Sequence, residues 1–355
     1  MNILAVLCVR NEAAFLLDWL AHHLACGVTH VVACSNDCED GTDAMLDRLA
    51  ELGHVTHIRN DGPYDKGGIQ FSALKLADKT DAVARADWIL PLDIDEFVNI
   101  HVGDRTIPAL LDALPEATAI TLTWRLFGNA GVVRYADTPV PQQFTRAAPV
   151  VMYWPWRSAM FKTLYRNDRT YRNIGVHRPR NPVKDRLNAA RWFDGEGREL
   201  EAQFATRRIF STYGRSNYAL AQLNHYPLCA MESYVLKAAR GRAVHSDHLL
   251  GLDYWVERNF NTDTDDSILA LADRTAAIRA GFAADPQLGP MHDRAVAWRR
   301  ARFDALMRQE PYRALFGRLL MTPPSRPLAP DAARFLVAHA TAARDDTGKN
   351  EMQTN

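Results

Sequence analysis

The apolar run Trp88-Ile-Leu-Pro-Leu92 ends abruptly in Asp93-Ile94-Asp95-Glu96, three acids around one isoleucine. Carboxylates placed where a buried strand surfaces suit a hard cation, and in an extended segment residues two apart point to the same side. Asp93 and Asp95 are therefore placed to share one Mg2+ or Mn2+, with Ile94 turned inward and the diphosphate of a substrate completing the shell. The same tripeptide also suits a helix cap or a solvated turn. Metal-assisted chemistry on a nucleotide derivative is the first hypothesis, and position and partners must carry it.

The elements that position these acids follow from periodicity. Residues 3–9 are an aliphatic strand, Arg10-Asn11-Glu12 a polar turn, and Phe15, Leu16, Trp19, Leu20 and Leu24 recur at helical spacing. Val28 to Cys34 is a second strand, followed by the dense turn Ser35-Asn-Asp-Cys-Glu-Asp-Gly41 and a helix through Met45, Leu46 and Leu49. Val55 to Ile58 and a helix from Phe71 to Ala84 precede the strand that reaches Asp93. Alternating strands and helices imply an α/β fold with a mostly parallel sheet covered on both faces. Ligands bind such sheets beyond the carboxyl ends of the strands, where the polar clusters at 10–12, 35–42 and 93–96 all fall.

From Ala119 the texture changes. Ile120 to Arg125 and Val150 to Trp154 read as strands of mixed or antiparallel type, and 177–216 as loop with a short hairpin. A helix covers Met231 to Arg240. The pattern is helical from about 250, with Trp298, Phe303, Leu306 and Met307 on one face, and the polar composition after Arg344 predicts a disordered tail.

Composition bounds the function. With 355 residues and 47% apolar content the chain buries a large core. Lys plus Arg and Asp plus Glu balance at 42 each, so the electrostatic footprint of a nucleic-acid binder is missing. The start, Met1 to Arg10, lacks a basic leader and a small-residue cleavage site. No stretch reaches the roughly 18 uninterrupted apolar residues of a membrane span. Five cysteines (Cys8, Cys26, Cys34, Cys38, Cys229) are sparse in a long chain and point to reduced thiols. The expected location is cytoplasmic. Arg299, Arg300, Arg302 and Phe303 offer a peripheral contact with the inner membrane face, or else the solvated side of a packing helix.

Four segments in order resemble a GT-A type glycosyltransferase of the family 2 superfamily, in the branch similar to family 92. They are Val9-Arg10-Asn11-Glu12 with Phe15 to Trp19, His22-His23 and Gly27-Val28; Ser35 to Thr42; Leu92 to Phe97, similar to the DxD signature; and Asn224-His225-Tyr226 with Glu232 to Lys237 and Arg240-Gly241-Arg242. The resemblance spans roughly residues 3–245. It implies a Rossmann-like GT-A domain over 1–245, with a nucleotide-binding half to 118 and an acceptor and metal-completing half over 119–245. A helical extension follows at 246–343, then the tail, 344–355. It further implies a nucleotide-sugar donor, UDP-linked by expectation, a divalent metal, and a glycan or lipid-linked acceptor such as a growing surface polysaccharide.

In that frame His225 resembles a third metal ligand beside Asp93 and Asp95, and imidazole with carboxylate fits Mn2+ better than Mg2+. Asp95 is the expected direct ligand, with Asp93 acting toward the ribose or through water. Arg10, Asn11 and Glu12 face the nucleotide, Arg10 against the diphosphate. Asp37 accepts from a base N–H or closes an Asx turn, and Gln70 keeps a polar contact to the nucleotide. Lys237, Arg240 and Arg242 stabilise the departing diphosphate or, as basic residues in a last helical turn, the helix dipole. Trp124, Trp154 and Trp156 offer rings for a sugar face, although core packing suits at least two of them.

An inverting transfer needs a base within reach of the acceptor hydroxyl. The Glu-Asp pair of many family 2 enzymes has no counterpart in this chain. The candidates are His177, then Glu96 and Asp265, with Asp266 beside it. Two other readings stay open: a nucleotidyltransferase on the same sheet, which would carry a Gly-rich basic loop after the first strand, and a non-catalytic nucleotide or glycan-binding module.

Overall fold

The computed structural model describes residues 1–64, 67–212, 214–241 and 250–353. The chain runs β1 (Ile3–Val9), α1 (Ala13–Ala25), β2 (His30–Ser35), α2 (Thr42–Glu51), β3 (Val55–Arg59), α3 (Gly68–Ala77), α4 (Asp81–Arg85) and β4 (Trp88–Leu92). Next come β5 (Glu96–Ile100), α5 (Ile107–Ala113), β6 (Ala119–Leu126), α6 (Val140–Gln143), β7 (Arg146–Ala147), β8 (Phe161–Arg166), β9 (Tyr171–Asn173), β10 (Arg180–Pro182), β11 (Trp192–Asp194), α7 (Ala202–Thr206) and β12 (Ala221–His225). The remainder is α8 (Met231–Arg240), α9 (Leu252–Val256), β13 (Asp263–Thr264), α10 (Ala272–Ala284), α11 (Leu288–Met307), α12 (Glu310–Met321) and α13 (Pro330–Gln353).

Among the described residues nine strands form one sheet, in the order β3-β2-β1-β4-β8-β6-β12-β5 with β11 beside β6. β1 to β4 pair in parallel, and β8 runs antiparallel between β4 and β6. The fold is the expected α/β arrangement, with helices on both faces of the sheet and a helical C-terminal region. Its chemistry-bearing corner is the step from β4 to β5. These strands are consecutive in the chain, yet β5 lies at the far end of the sheet, antiparallel to β12. The short link 93–95 holds the start of β5 beside the end of β4, so the sheet curls, and Tyr226 N donates to Asp95 O at 2.8 Å, extending the β12–β5 pairing into the acidic turn. Asp93 to Asp95 are therefore a buried-sided turn and not the extended segment that the alternation implied.

Several boundaries differ from expectation. The helix read as Phe71 to Ala84 is two helices, because Thr80 Oγ1 accepts from Val83 N at 3.3 Å and caps α4. Val150 to Trp154 is loop, with Pro149 and Pro155 on either side, and the strand is instead Phe161–Arg166. The tail expected as disordered continues α13 to Gln353. Its Ala, Arg, Lys, Glu, Met and Gln content carries adequate helix propensity without an apolar stripe.

A large core packs α1, α2 and α5 with α10 and α11 on one sheet face, and a second lies beneath α3, α4 and α7. Trp298, Phe303, Leu306 and Met307 join a third with α8 and α12, as the periodicity implied. α1 anchors the acidic turn: Trp19, fully buried, donates Nε1 to Asp93 O at 3.1 Å and Glu96 O at 3.0 Å.

His22 and His23 on α1 are buried against β5. His22 Nε2 lies 2.7 Å from Val98 O and His23 Nδ1 lies 2.8 Å from Trp19 O, while Val98 N points at His23 Nε2 at 3.4 Å, so the His23 ring is held neutral with both nitrogens committed. Burial pushes His22 from the ordinary 6.5 to about 4 and His23 well below 6.5. Between those values the unfolded chain binds protons that the folded chain refuses, so stability is lost as pH falls through 6.5. Urea unfolding is expected to show His22 alone costing about 2 kcal/mol on going from pH 7 to pH 5. His22→Gln should remove that part of the slope.

Candidate active site

Strand alternation puts the chemistry on one face. Glu96 of β5 sits opposite His225 of β12, Trp124 of β6 opposite Leu223, and Lys162 of β8 opposite Leu122, so Glu96, Trp124, His225 and Lys162 project to the same side. Above them opens a cavity of about 580 Å³ at the carboxyl ends of β1, β4 and β12. Arg10 and Glu12 enter from the first loop, Gln70 from α3, Asp93 and Asp95 from the acidic turn. His177, His225, Lys237 and Arg240 close it from the second half of the chain.

The acids are neutralised by lysines from distant segments. Asp93 accepts from Lys162 Nζ at 2.9 Å on Oδ2 and from Gln70 Nε2 at 3.2 Å on Oδ1. Lys162, only 1% exposed, also lies 3.5 Å from Glu96 Oε2. Burial acts against its ammonium, but Asp93 and Glu96 outweigh it and raise the pKa. Asp95 Oδ2 accepts from Lys237 Nζ at 2.6 Å and lies 3.7 Å from His225 Nε2. Burial pushes the Asp95 carboxyl up, yet Lys237 and then His225 hold it well below the ordinary carboxylate value.

Toward a cation the donors are Asp95 and His225, whose oxygen and nitrogen face one another across the cavity floor. They fit a divalent ion with substrate oxygens supplying the rest of the shell, and nitrogen with oxygen suits Mn2+. Both oxygens of Asp93 are held, by Lys162 and Gln70, and Asp95 Oδ2 is held by Lys237. Among the described residues no three His, Cys, Asp or Glu side chains converge. The His225 ring lies 4.2 Å from Trp124, and its buried Nδ1 has no partner.

The base candidates separate. Glu96 is fully buried: Oε1 accepts from Trp124 Nε1 at 2.7 Å and Oε2 from Asp93 N at 2.8 Å. Burial pushes it up to about 8 against the pull of Lys162. It braces the turn and does not line the cavity. Asp265 bonds Gln222 at 2.8 Å and Ser267 Oγ at 2.6 Å in a separate cleft with Arg125. Gln222 alternates with His225 along β12, so Asp265 serves the opposite face, and Asp266 precedes the 3-10 turn that starts at Ser267. His177 lines the main cavity; its Nδ1 lies 3.0 Å from Phe161 O, which leaves Nε2 as the free lone pair. Burial and then Lys162 push it down to about 4.

Two loop residues serve structure. Asn11, at φ +52°, accepts from Glu39 N at 2.7 Å, and Asp37, at φ +47°, is exposed and accepts from Tyr64 Oη at 2.8 Å. Asn36 lines the cavity in their place, with its buried Nδ2 unpartnered. Glu12 pairs with Arg240, which also donates to Arg10 O at 2.7 Å. The rings of Trp154 and Trp156 lie 5.7 Å apart at a tilt of 51°, away from the cavity. Arg242 lies outside the described residues. Sequence reasoning missed Lys162, Asn36, Tyr254 and Arg258, all lining or bracing this cavity. For Lys162 a signal existed: a lone lysine inside Phe-Lys-Thr-Leu-Tyr, a stretch otherwise suited to a buried strand.

Lys162→Met would leave Asp93 and Glu96 beside one another without their buried cation. Equilibrium unfolding at neutral pH is expected to show a loss of about 3–5 kcal/mol.

Comparison with curated proteins found no match. Among solved structures the chain aligns with S. aureus TarS in complex with UDP at 14% identity, over 87% of this chain and 92% of that one, with a TM-score of 0.33. M. tuberculosis glucosyl-3-phosphoglycerate synthase with Mn2+, UDP and glucosyl-3-phosphoglycerate aligns at 18% identity, over 35% of this chain, with a TM-score of 0.25. The chain spans 44% of that synthase's length, less than half. The profile "Glycosyltransferase family 92" matches residues 5–193, from β1 through the acidic turn and Lys162 to β11. With more than half its length under that profile, the chain belongs to glycosyltransferase family 92.

Proposed function

We propose that this protein transfers a sugar, with inversion, from a UDP-sugar to a hydroxyl of a glycan or lipid-linked acceptor, with Mn2+ or Mg2+ as cofactor. The observation that carries the reading is the meeting of Asp95, His225, Lys237, Arg240, Arg10 and His177 in one cavity at the strand ends. A family fold alone would not require it.

Roles follow from geometry. Asn36 offers an unpartnered amide for the nucleotide, and Gln70 with Asp93 forms the polar wall beside it. Asp95 and His225 would hold the cation, which would supply positive charge beside the diphosphate. Lys237 and Arg240 deliver further positive charge to the same oxygens, and Arg10 supports them from the first loop. His177, neutral with a free Nε2, takes the proton of the attacking hydroxyl. The tilted Trp124 ring supplies an apolar floor between the two histidines, at 4.2 Å from His225 and 5.9 Å from His177. No helix among the described residues is long and apolar enough to cross a membrane. Work at the inner membrane face would therefore rest on peripheral contact.

The test is release of UDP from a panel of UDP-sugars with Mn2+, in the presence and absence of glycan acceptors. A folded protein that neither binds UDP nor turns over any donor would overturn the proposal. Asp95→Asn is expected to lower turnover about 1,000-fold with the fold retained. A variant that keeps parental rates would remove the cation from the mechanism. His177→Gln should lose roughly 100-fold or more in kcat. Since His177 is pushed down to about 4, the parent's kcat/KM should stay level from neutral pH to about 5 and then fall. An acid limb near 6.5 would point to another base.

A further inference from the structure

Behind the acidic turn lies a second, smaller cavity of about 60 Å³, separated from the first by Glu12, Asp95, Lys237 and Arg240, which line both. Its inner wall carries Arg299 of α11. This side chain, expected at the surface, is only 7% exposed, with its guanidinium 4.5 Å above the Phe15 ring and 5.1 Å from the Tyr135 ring. Arg299 Nε is buried without a partner, and no carboxylate or carbonyl among the described residues accepts from the group. The two acids nearby are taken: Glu12 pairs with Arg240 and Asp95 with Lys237. Ser233 Oγ, 5% exposed, lines the same cavity and is also unpartnered.

Burying an unpaired charge is costly, and the faces of aromatic rings return only part of that cost. A guanidinium held this way calls for an anion. Arg302, exposed at the cavity rim, adds a second positive charge with no ion pair among the described residues. Two guanidinium groups and a hydroxyl donor match a dianion with several acceptor oxygens; a carboxylate would leave one charge unmet.

We propose that this cavity is a phosphate site, with Arg299 and Ser233 as its inner donors and Arg302 at its mouth. The phosphate is either the free ion or an ester carried by a substrate, and both present the same oxygens. The inference rests on this cavity alone and not on the transferase reading.

Calorimetric titration of the full chain with inorganic phosphate, glucose 1-phosphate, glucose and acetate, each with and without UDP, tests it. Inorganic phosphate or glucose 1-phosphate should bind, glucose should not, and saturating UDP should leave phosphate affinity within about twofold. Whichever of the two phosphates binds identifies the source. Arg299→Met should weaken phosphate binding tenfold or more and leave UDP binding unchanged, while Arg299→Lys retains part of it. Ser233→Ala, which removes one buried hydroxyl, should weaken it severalfold and serves if the Arg299→Met chain does not fold. Absence of binding by both phosphates, equal affinity for acetate, displacement of phosphate by UDP, or parental affinity in Arg299→Met and Ser233→Ala would each overturn the assignment. Failure of UDP alone to bind would count against the transferase reading and leave the phosphate result standing.

Discussion

Three carboxylates within four residues cannot share a buried corner unless cations are brought to them. Lys162 and Lys237 meet this constraint from strands and helices far along the chain, and each takes a different acid. Lys162 with Glu96 and Trp124 stiffens the turn from below, so Asp93 is fixed. Lys237 reaches Asp95 from above, where the carboxylate still borders open space. The two lysines divide one acidic cluster into a braced pair, Asp93 with Glu96, and an acid, Asp95, that borders the cavity.

The curl of the sheet is the geometrical answer to the same constraint. β4 and β5 could not both flank the acidic turn and reach His225 in a flat sheet, because β12 is three strands from β4. The β12–β5 pairing, continued through Tyr226 and Asp95, sets β12 and then α8 over the strand ends. The helices α10 and α11 buttress α1 from outside, and α1 in turn holds the turn's carbonyls through Trp19. Residues in the last third thus support a site built in the first third, with Tyr254 and Arg258 contributing to its wall directly.

Much of this was legible in the sequence. Strand, polar loop and helix recur with strong periodicity in the first 92 residues, and polar clusters at strand ends mark where a ligand goes. Asp95 was singled out by the local acidic cluster, whereas His225 was singled out through family resemblance, since nothing local announces that residues 130 apart will face each other. Lys162 was hidden because a lysine usually reads as surface, and its burial depends on acids it meets only after folding. Asn36 lines the cavity and Asp37 does not, because a left-handed turn at Asp37 swings its carboxylate toward Tyr64, a backbone choice that residue types do not dictate. Asp265 was misplaced for a similar reason: the side of β12 that it serves depends on register. Arg299 read as a surface cation because it sits in the basic run Arg299-Arg300-Ala-Arg302, and only the packing of α11 on Phe15 and Tyr135 shows otherwise.

The Asp95–Lys237 pair spans 142 residues, which has a consequence for how the chain is made. At about 5–20 residues per second, a ribosome delivers Lys237 roughly 7–28 s after Asp95. During that interval β1 to β4 can assemble with parallel pairing, but the β12–β5 pairing and the cation for Asp95 do not yet exist. The nascent chain therefore carries an unneutralised acid beside an unpaired β5 for seconds, and the cavity is completed only when β12 and α8 arrive.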